Sequence, residues 1–168
     1  MSYPYADVFS QIEERLIKLG TEGRHRFTRD EVVNRLNVYK HLGAHPLDDN
    51  GYFRTLVDVV FYSGFKANTV TRMLPAIYNY LSDYRAVAGY TDDDVARIMA
   101  DPKVVRNDRK IKACINSARA IREIAARHGS MEIYVQSFNA TDSFENLFLL
   151  KESLESKFDY LGEPAREI

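Results

Sequence analysis

The side chains best suited to chemistry lie in one basic segment, residues 104–120. Between Lys103 and His128 the chain carries eight Lys and Arg residues but only two carboxylates, a local charge of +6, whereas the formal net charge of the whole chain is −1. Cationic side chains at the start of a helix, with its free N–H groups, are suited to bind phosphate. The predicted phosphate ligands are Arg106, Asn107, Arg109, Lys110 and Lys112. A solvated helix face would have the same composition, and phosphate contacts supply affinity without reading a base sequence.

Metal chemistry has weak support in the sequence. His41 and His45 have helical i,i+4 spacing, but Gly43 lies between them and Pro46 follows. Both residues interrupt a helix, so the two imidazoles are not expected to face one ion. The single cysteine, Cys114, excludes an internal disulfide and fits a reducing compartment. We therefore expect no metal and no cofactor.

The composition indicates one globular domain. The chain has 168 residues, of which 45% are hydrophobic, enough to build a core. Because the net charge is close to zero, any affinity for nucleic acid has to come from the local basic segment. No stretch of about 18 apolar residues occurs, and the N-terminus lacks the pattern of a signal peptide. We expect a cytoplasmic protein without a membrane segment.

The spacing of apolar residues is helical almost throughout the chain, and no segment alternates as a strand would. The predicted fold class is all-α, a single domain of about eight helices over residues 1–168. An N-terminal helical pair occupies residues 1–45 and a core occupies residues 50–164. The predicted helices are 8–19, 28–42, 53–64, 68–81, 91–101, 109–127, 130–138 and 144–157. Gly20 is expected to stop the first helix and Asn68 to cap the fourth.

Three motifs carry a resemblance to a known family. They are Val104-Val105-Arg106-Asn107, Lys110-Ile111 and Asn116-Ser117-Ala118-Arg119-Ala120. With them the chain resembles the DNA-3-methyladenine glycosylase I family, within the helix-hairpin-helix glycosylase superfamily. Tyr62-Ser63-Gly64-Phe65-Lys66-Ala67 is similar to the glycine turn of that family, and Lys157-Phe158-Asp159-Tyr160-Leu161-Gly162 to the first half of its DNA-binding hairpin. The resemblance covers roughly residues 50–164.

The resemblance implies a repair enzyme. Family members remove alkylated purines from double-stranded DNA by base flipping and N-glycosidic hydrolysis. It implies no cofactor, a DNA partner containing damaged bases, and a monomer. The implied base pocket contains Val59, Phe61 and Tyr62, of which Phe61 also fits the apolar stripe of the third helix, so that Tyr62 is the better pocket candidate. Further DNA contacts are implied for Lys66 and Asn68 after the turn, and for Gly162 in the hairpin.

The chain departs from the family at the pocket. Val59 stands where family members carry a glutamate, and Ala67 where they carry a tryptophan. Asp58 is the carboxylate nearest to that position and a weak catalytic candidate, although an ion pair with Arg54, four residues earlier, is the competing expectation. The sequence ends at Ile168, one turn into the expected second hairpin helix. The alternatives are a non-catalytic DNA-binding protein on the same scaffold and a helical interaction protein with no nucleic-acid role.

Overall fold

All regular secondary structure in the described part of the protein is α-helical. The computed structural model describes residues 6–23, 27–40, 46–104 and 106–162, and for residues 6, 7 and 38–40 it describes the backbone alone. These segments contain no strand, which confirms the all-α class. The helices are α1 Ala6–Glu22, α2 Arg29–Lys40, α3 Asp49–Tyr62, α4 Ala67–Tyr78, α5 Tyr84–Val87, α6 Asp92–Ala100, α7 Asp108–His128, α8 Met131–Gln136 and α9 Phe144–Lys157.

The chain divides into two compact units, Met1–Pro46 and Leu47–Ile168. This boundary lies beside the one expected between the N-terminal helical pair and the core. That the whole chain forms a single domain stays a prediction. The two histidines considered as metal ligands, His41 and His45, lie outside the described residues. Among the residues that are described, no group of three or more potential metal-binding side chains occurs.

The first unit is a helical pair in which α1 packs against α2 through Ile17 and Val32. Thr28 and Glu31 form a capping box at the start of α2, with the Thr28 N–H donating to Glu31 Oε2 at 2.8 Å. The prediction that Gly20 stops α1 is wrong, since the helix continues to Glu22. A Cβ on Gly20 would lie 2.7 Å from Val32 Cγ2, so the glycine permits close helix packing. The predicted extension of α2 to Leu42 lies outside the described residues.

The second unit is built around α7. This helix packs against α3, α5, α6 and α8, and its apolar face is buried as the spacing predicts. The predicted stripe of α3 is also buried, at Phe53, Leu56, Val57, Val60 and Phe61. Burying these side chains is the main favourable term for a domain of this size. Most of the basic segment, from Asp108 onward, therefore lies on the helix that organises the core.

Several helix ends differ from the predicted ones by a few residues. Helix α3 starts at Asp49 because Asp48 caps it, accepting the Gly51 N–H at 2.7 Å. Helix α4 starts at Ala67 with Lys66 at the cap position, so the prediction that Asn68 is the cap is wrong. Helix α5, only four residues long, is missing from the predicted set. It is too short to show a helical period.

Candidate nucleic-acid interface

Three segments that are distant in sequence meet at the side chain of Lys110. Its Nζ donates to the carbonyl oxygens of Val60 and of Ser63, the latter at 2.7 Å. The same Nζ lies 5.1 Å from the ring centroid of Phe65 and 4.7 Å from that of Tyr160. We call this place the junction: the end of α3 with the turn at residues 63–66, the start of α7, and residues 158–162 after α9.

The end of α3 explains why a cation is held there. The last carbonyl groups of a helix lack partners within it and carry partial negative charge. Gly64 then turns the chain with a φ of +73°, a conformation that suits glycine. The Lys110 ammonium satisfies two of the carbonyl groups left at this end. Burial lowers the pKa of Lys110, because the charged form is partly removed from water.

The prediction that Lys110 binds phosphate therefore needs correction. The residue is only 4% exposed and its ammonium binds protein carbonyl groups. The sequence did contain a signal for this. Lys110, Cys114 and Ser117 have the i, i+4, i+7 spacing of one helix face, and all three are buried. The apolar neighbours of Lys110 were a better guide than its charge.

The start of α7 keeps two exposed cations. Asn107 caps the helix by accepting the Lys110 N–H at 3.2 Å, so its side-chain oxygen is already used. Arg106 and Arg109 are exposed beside the cap and form no hydrogen bond or ion pair with another described residue. Lys112 is exposed, and its Nζ lies 3.4 Å from Asp92 Oδ1. A solvent-exposed pair of this kind is weak, so Lys112 is not fixed there.

The three predicted pocket residues do not lie together on an open surface. Phe61 is fully buried in the core, so no base can reach its ring in this structure. Tyr62 is 37% exposed, and its hydroxyl pairs with Thr71 Oγ1 at 2.9 Å. Val59 is half-buried, three residues before Tyr62 on the same helix. Of the three, Val59 and Tyr62 offer accessible apolar surface.

Asp58, the candidate catalytic carboxylate, has a partner within the protein. It accepts a hydrogen bond from the Tyr78 hydroxyl. Arg54 lies over the Tyr78 ring, 4.2 Å from its centroid, in place of the expected ion pair with Asp58. Burial, and then the bond to Asp58, raises the pKa of Tyr78. The arrangement fastens α4 to α3 and leaves Asp58 no obvious catalytic position.

The remaining predicted contact residues are exposed. Lys66 and Asn68 lie at the start of α4, and the Asn68 carbonyl accepts a hydrogen bond from Arg72 Nε at 3.3 Å. Gly162 is exposed at the end of the described chain, and the second half of the expected hairpin lies outside the described residues. Sequence reasoning missed Phe65 and Tyr160, whose rings are 38% and 39% exposed at the junction. The available signal was their position in two segments that resemble the family, Phe65 in residues 62–67 and Tyr160 in residues 157–162.

The third motif, around Arg119, has an internal role as well. Arg119 Nε donates to the Ala88 carbonyl at 3.2 Å and its guanidinium NH2 group to the Tyr90 carbonyl at 2.9 Å. This fastens the loop between α5 and α6 to α7. Ser117 in the same motif is buried. Much of the resemblance in residues 116–120 thus reflects how the scaffold is held together.

A cleft of about 380 Å³ lies between α7, α8 and the end of α9. None of the predicted pocket residues lines it. Of its basic side chains, Arg127 and Lys157 lie in the last turns of α7 and α9, where positive charge offsets the helix dipole, and Arg119 binds the carbonyl groups of Ala88 and Tyr90. Their position is explained without a ligand.

Exposed cations at a helix start and exposed aromatic rings are features that surfaces binding nucleic acid have in common. The model of the Methyladenine glycosylase family matches residues 38–158. This range covers most of the chain, and the protein therefore belongs to that family.

Solved structures show the same fold. A variant of 3-methyladenine DNA glycosylase I in complex with 3-methyladenine is 23% identical, with a TM-score of 0.59 over 70% of this chain and 73% of that one. The Staphylococcus aureus enzyme in a study of 3-methyladenine recognition gives the same identity and TM-score, over 70% and 72%. Another 3-methyladenine DNA glycosylase I structure is 20% identical, with a TM-score of 0.58 over 68% and 72%.

No helix in the described part of the chain is long and apolar enough to cross a membrane.

Proposed function

We propose that this protein is a DNA glycosylase that excises alkylated purines of the 3-methyladenine type from double-stranded DNA, by base flipping and N-glycosidic hydrolysis. The observation that carries the proposal is the family match over residues 38–158. The exposed cations and rings around the junction support it, since they provide what a DNA strand requires. The predictions of a monomer and of a cytoplasmic location stay predictions.

The reaction places modest demands on the protein. A purine alkylated on a ring nitrogen is already cationic, so it departs as a neutral base when the bond from its nitrogen to C1′ breaks. Water adds to C1′ and loses one proton, which leaves an abasic site. Damage also lowers the cost of taking the base out of the stack. The protein therefore has to hold a distorted strand and accept the flipped base.

The proposed DNA contacts surround the junction. Arg106 and Arg109 provide exposed positive charge, and the free N–H groups of α7 add to it beside Asn107. Lys66 and Asn68 extend the surface along the start of α4, and the backbone of Gly162 adds the hairpin side. Lys112 belongs to the same helix and can exchange Asp92 for a phosphate. Val59 and Tyr62 are the proposed base contacts.

The decisive assay is release of free 3-methyladenine from methylated duplex DNA, followed by chromatography. We expect release by the wild-type protein, with a known glycosylase as the positive control. DNA binding without release would favour the non-catalytic alternative. A folded protein that fails both to bind the duplex and to release the base would contradict the proposal.

The binding surface is tested by salt titration. The slope measured is that of the logarithm of the DNA association constant against the logarithm of the salt concentration. Replacing both Arg106 and Arg109 by Ala should make this slope shallower by about 1 for each phosphate that the variant no longer neutralises. Arg122→Ala is the matched control, since Arg122 is exposed on the same helix about 20 Å from Arg109. Equal effects of the control and the double variant would argue against a binding site at the start of α7.

A further inference from the structure

Lys110 is a buried cation that the proposed reaction does not use directly. We propose that it is a positioning residue, which holds the turn at residues 63–66 and the segment at residues 158–162 together as one DNA-binding surface. This inference rests on the proposed function. It gives Lys110 a role through other residues, in place of the direct phosphate contact that the sequence predicted.

The ammonium group of Lys110 contacts residues that are far from it in the sequence. Lys110 bonds to two carbonyl oxygens that lie 50 and 47 residues earlier in the chain, those of Val60 and Ser63. The same nitrogen lies within 5.1 Å of the ring centroids of Phe65 and Tyr160. A cation near an aromatic face is attracted to it, more strongly where water is excluded. One side chain from the start of α7 thus contacts both of the other segments of the junction.

The ammonium group of Lys110 is buried and has to be stabilised by the groups around it. Removing an ammonium group from water is costly unless hydrogen bonds and other polar contacts replace its hydration. At Lys110 the replacement comes from the end of α3 and from the two rings. If the end of α3 moves away, the ammonium loses its two hydrogen bonds, and if residues 158–162 move away it loses the Tyr160 ring. The positions of the turn and of residues 158–162 are therefore coupled through this nitrogen.

The groups attached to these segments connect the coupling to function. The turn carries the exposed Phe65 ring and ends at Lys66, while the other segment carries the exposed Tyr160 ring and ends at Gly162. Both segments are held at the same buried nitrogen. Reactions that need an oriented substrate are sensitive to displacements of about 1 Å. Loosening the two segments should therefore weaken DNA binding and base release.

The chain provides a matched control on the same helix. Arg119 also directs a cation from α7 onto two backbone carbonyl groups, those of Ala88 and Tyr90. Those carbonyls belong to the loop between α5 and α6, which carries none of the proposed DNA contacts. Lys110→Met and Arg119→Met each remove one positive charge and two hydrogen bonds. If Lys110 served only the overall stability of the fold, its loss would not open residues 63–66 and 158–162 in particular.

The experiment combines amide hydrogen exchange with DNA affinity and single-turnover release, on the full chain. Lys110→Met should accelerate exchange in residues 63–66 and 158–162 together, by about tenfold or more, since local opening becomes easier. Affinity and the single-turnover rate should each fall about tenfold or more. Lys110→Arg should recover part of both losses. Arg119→Met should accelerate exchange in its own loop and keep DNA affinity within about twofold of the wild type.

The outcomes separate this inference from the proposed function. An active wild type with equal losses in both Met variants, or with unchanged exchange at residues 158–162 in Lys110→Met, overturns the positioning role alone. A folded wild type that neither binds DNA nor releases base overturns the proposed function and this role with it. If Lys110→Met does not fold, Tyr160→Leu removes one ring and keeps the ammonium. It should accelerate exchange at residues 158–162 and weaken DNA affinity, and no change in either overturns the proposal.

Discussion

Replacing Tyr62 by Ala should reduce base release more than DNA binding. Tyr62 is the most accessible of the three residues implied for the base pocket, with an exposed fraction of 37%. Its ring lies near the end of α3, on the residue that directly precedes the turn at residues 63–66. If the ring stacks on a flipped base, its loss affects the step in which that base is held. The grip on the phosphates would remain.

The expected size follows from what the side chain does in the structure. Stacking of an aromatic ring on a base is worth about 1–3 kcal/mol, which corresponds to roughly a 5–150-fold loss in release. The hydroxyl pairs with Thr71 at an exposed position, and such a bond contributes about 1 kcal/mol to stability. The variant should therefore remain folded. Duplex affinity should change by less than about threefold, because no cation is removed.

Tyr62→Phe is the control, since it keeps the ring and removes only the bond to Thr71. It should release base at nearly the wild-type rate in single-turnover experiments on methylated duplex DNA. Affinity for the same duplex is measured in parallel. Equal losses of binding and release in Tyr62→Ala would show that the residue is structural. A Phe variant as impaired as the Ala variant would also refute the stacking role.

Three further predictions concern the scaffold. Ser117→Ala should raise the free energy of unfolding by about 1 kcal/mol, because the buried hydroxyl has no hydrogen-bond partner among the described residues; a lower value in a denaturant titration would contradict this. Cys114 should resist a thiol reagent until the protein unfolds, because it is fully buried and burial raises the pKa of its thiol to about 12; rapid labelling of the native protein would count against it. The Thr91 N–H, which donates to the Asp94 carboxylate, is the main reason that the pKa of Asp94 lies below its ordinary 3.8. The stability that this adds to the folded protein is fully present above the pKa that Asp94 has in the unfolded chain. It is lost as the pH falls through the pKa that Asp94 has in the folded protein. Asp94→Asn should therefore flatten the loss of stability below about pH 4, and an unchanged acid profile would argue against this account.

Local features of the fold were predictable because their causes are local. The buried stripe of α3 from Phe53 to Phe61 follows from helical spacing alone. The capping boxes that begin at Thr28 and Thr91 require only a hydroxyl side chain and a carboxylate three residues later. The stop expected at Gly20 failed because the glycine serves packing against Val32, a partner that the local pattern does not reveal.

The candidate site depended more on tertiary structure. The sequence located the basic start of α7, where Arg106 and Arg109 are exposed. It also located the two segments around Gly64 and Tyr160 that resemble the family. Helical spacing already placed Phe61 with the apolar stripe and Tyr62 away from it, and Phe61 is buried whereas Tyr62 is 37% exposed. These neighbours differ by about 100° around the helix, so the packing of α3 decides which ring faces water.

By itself, the sequence determined the helical class, most helix positions and the basic character of the segment that starts α7. The tertiary structure alone decided what each cation does. Lys110 and Arg109 are adjacent in sequence and carry the same charge, yet one binds buried carbonyl groups and the other faces solvent. The difference arises because Val60 and Ser63, 50 and 47 residues away, end a helix at this place and leave carbonyl groups without partners. A charge is local to a residue, whereas the group that it binds is set by how the chain folds.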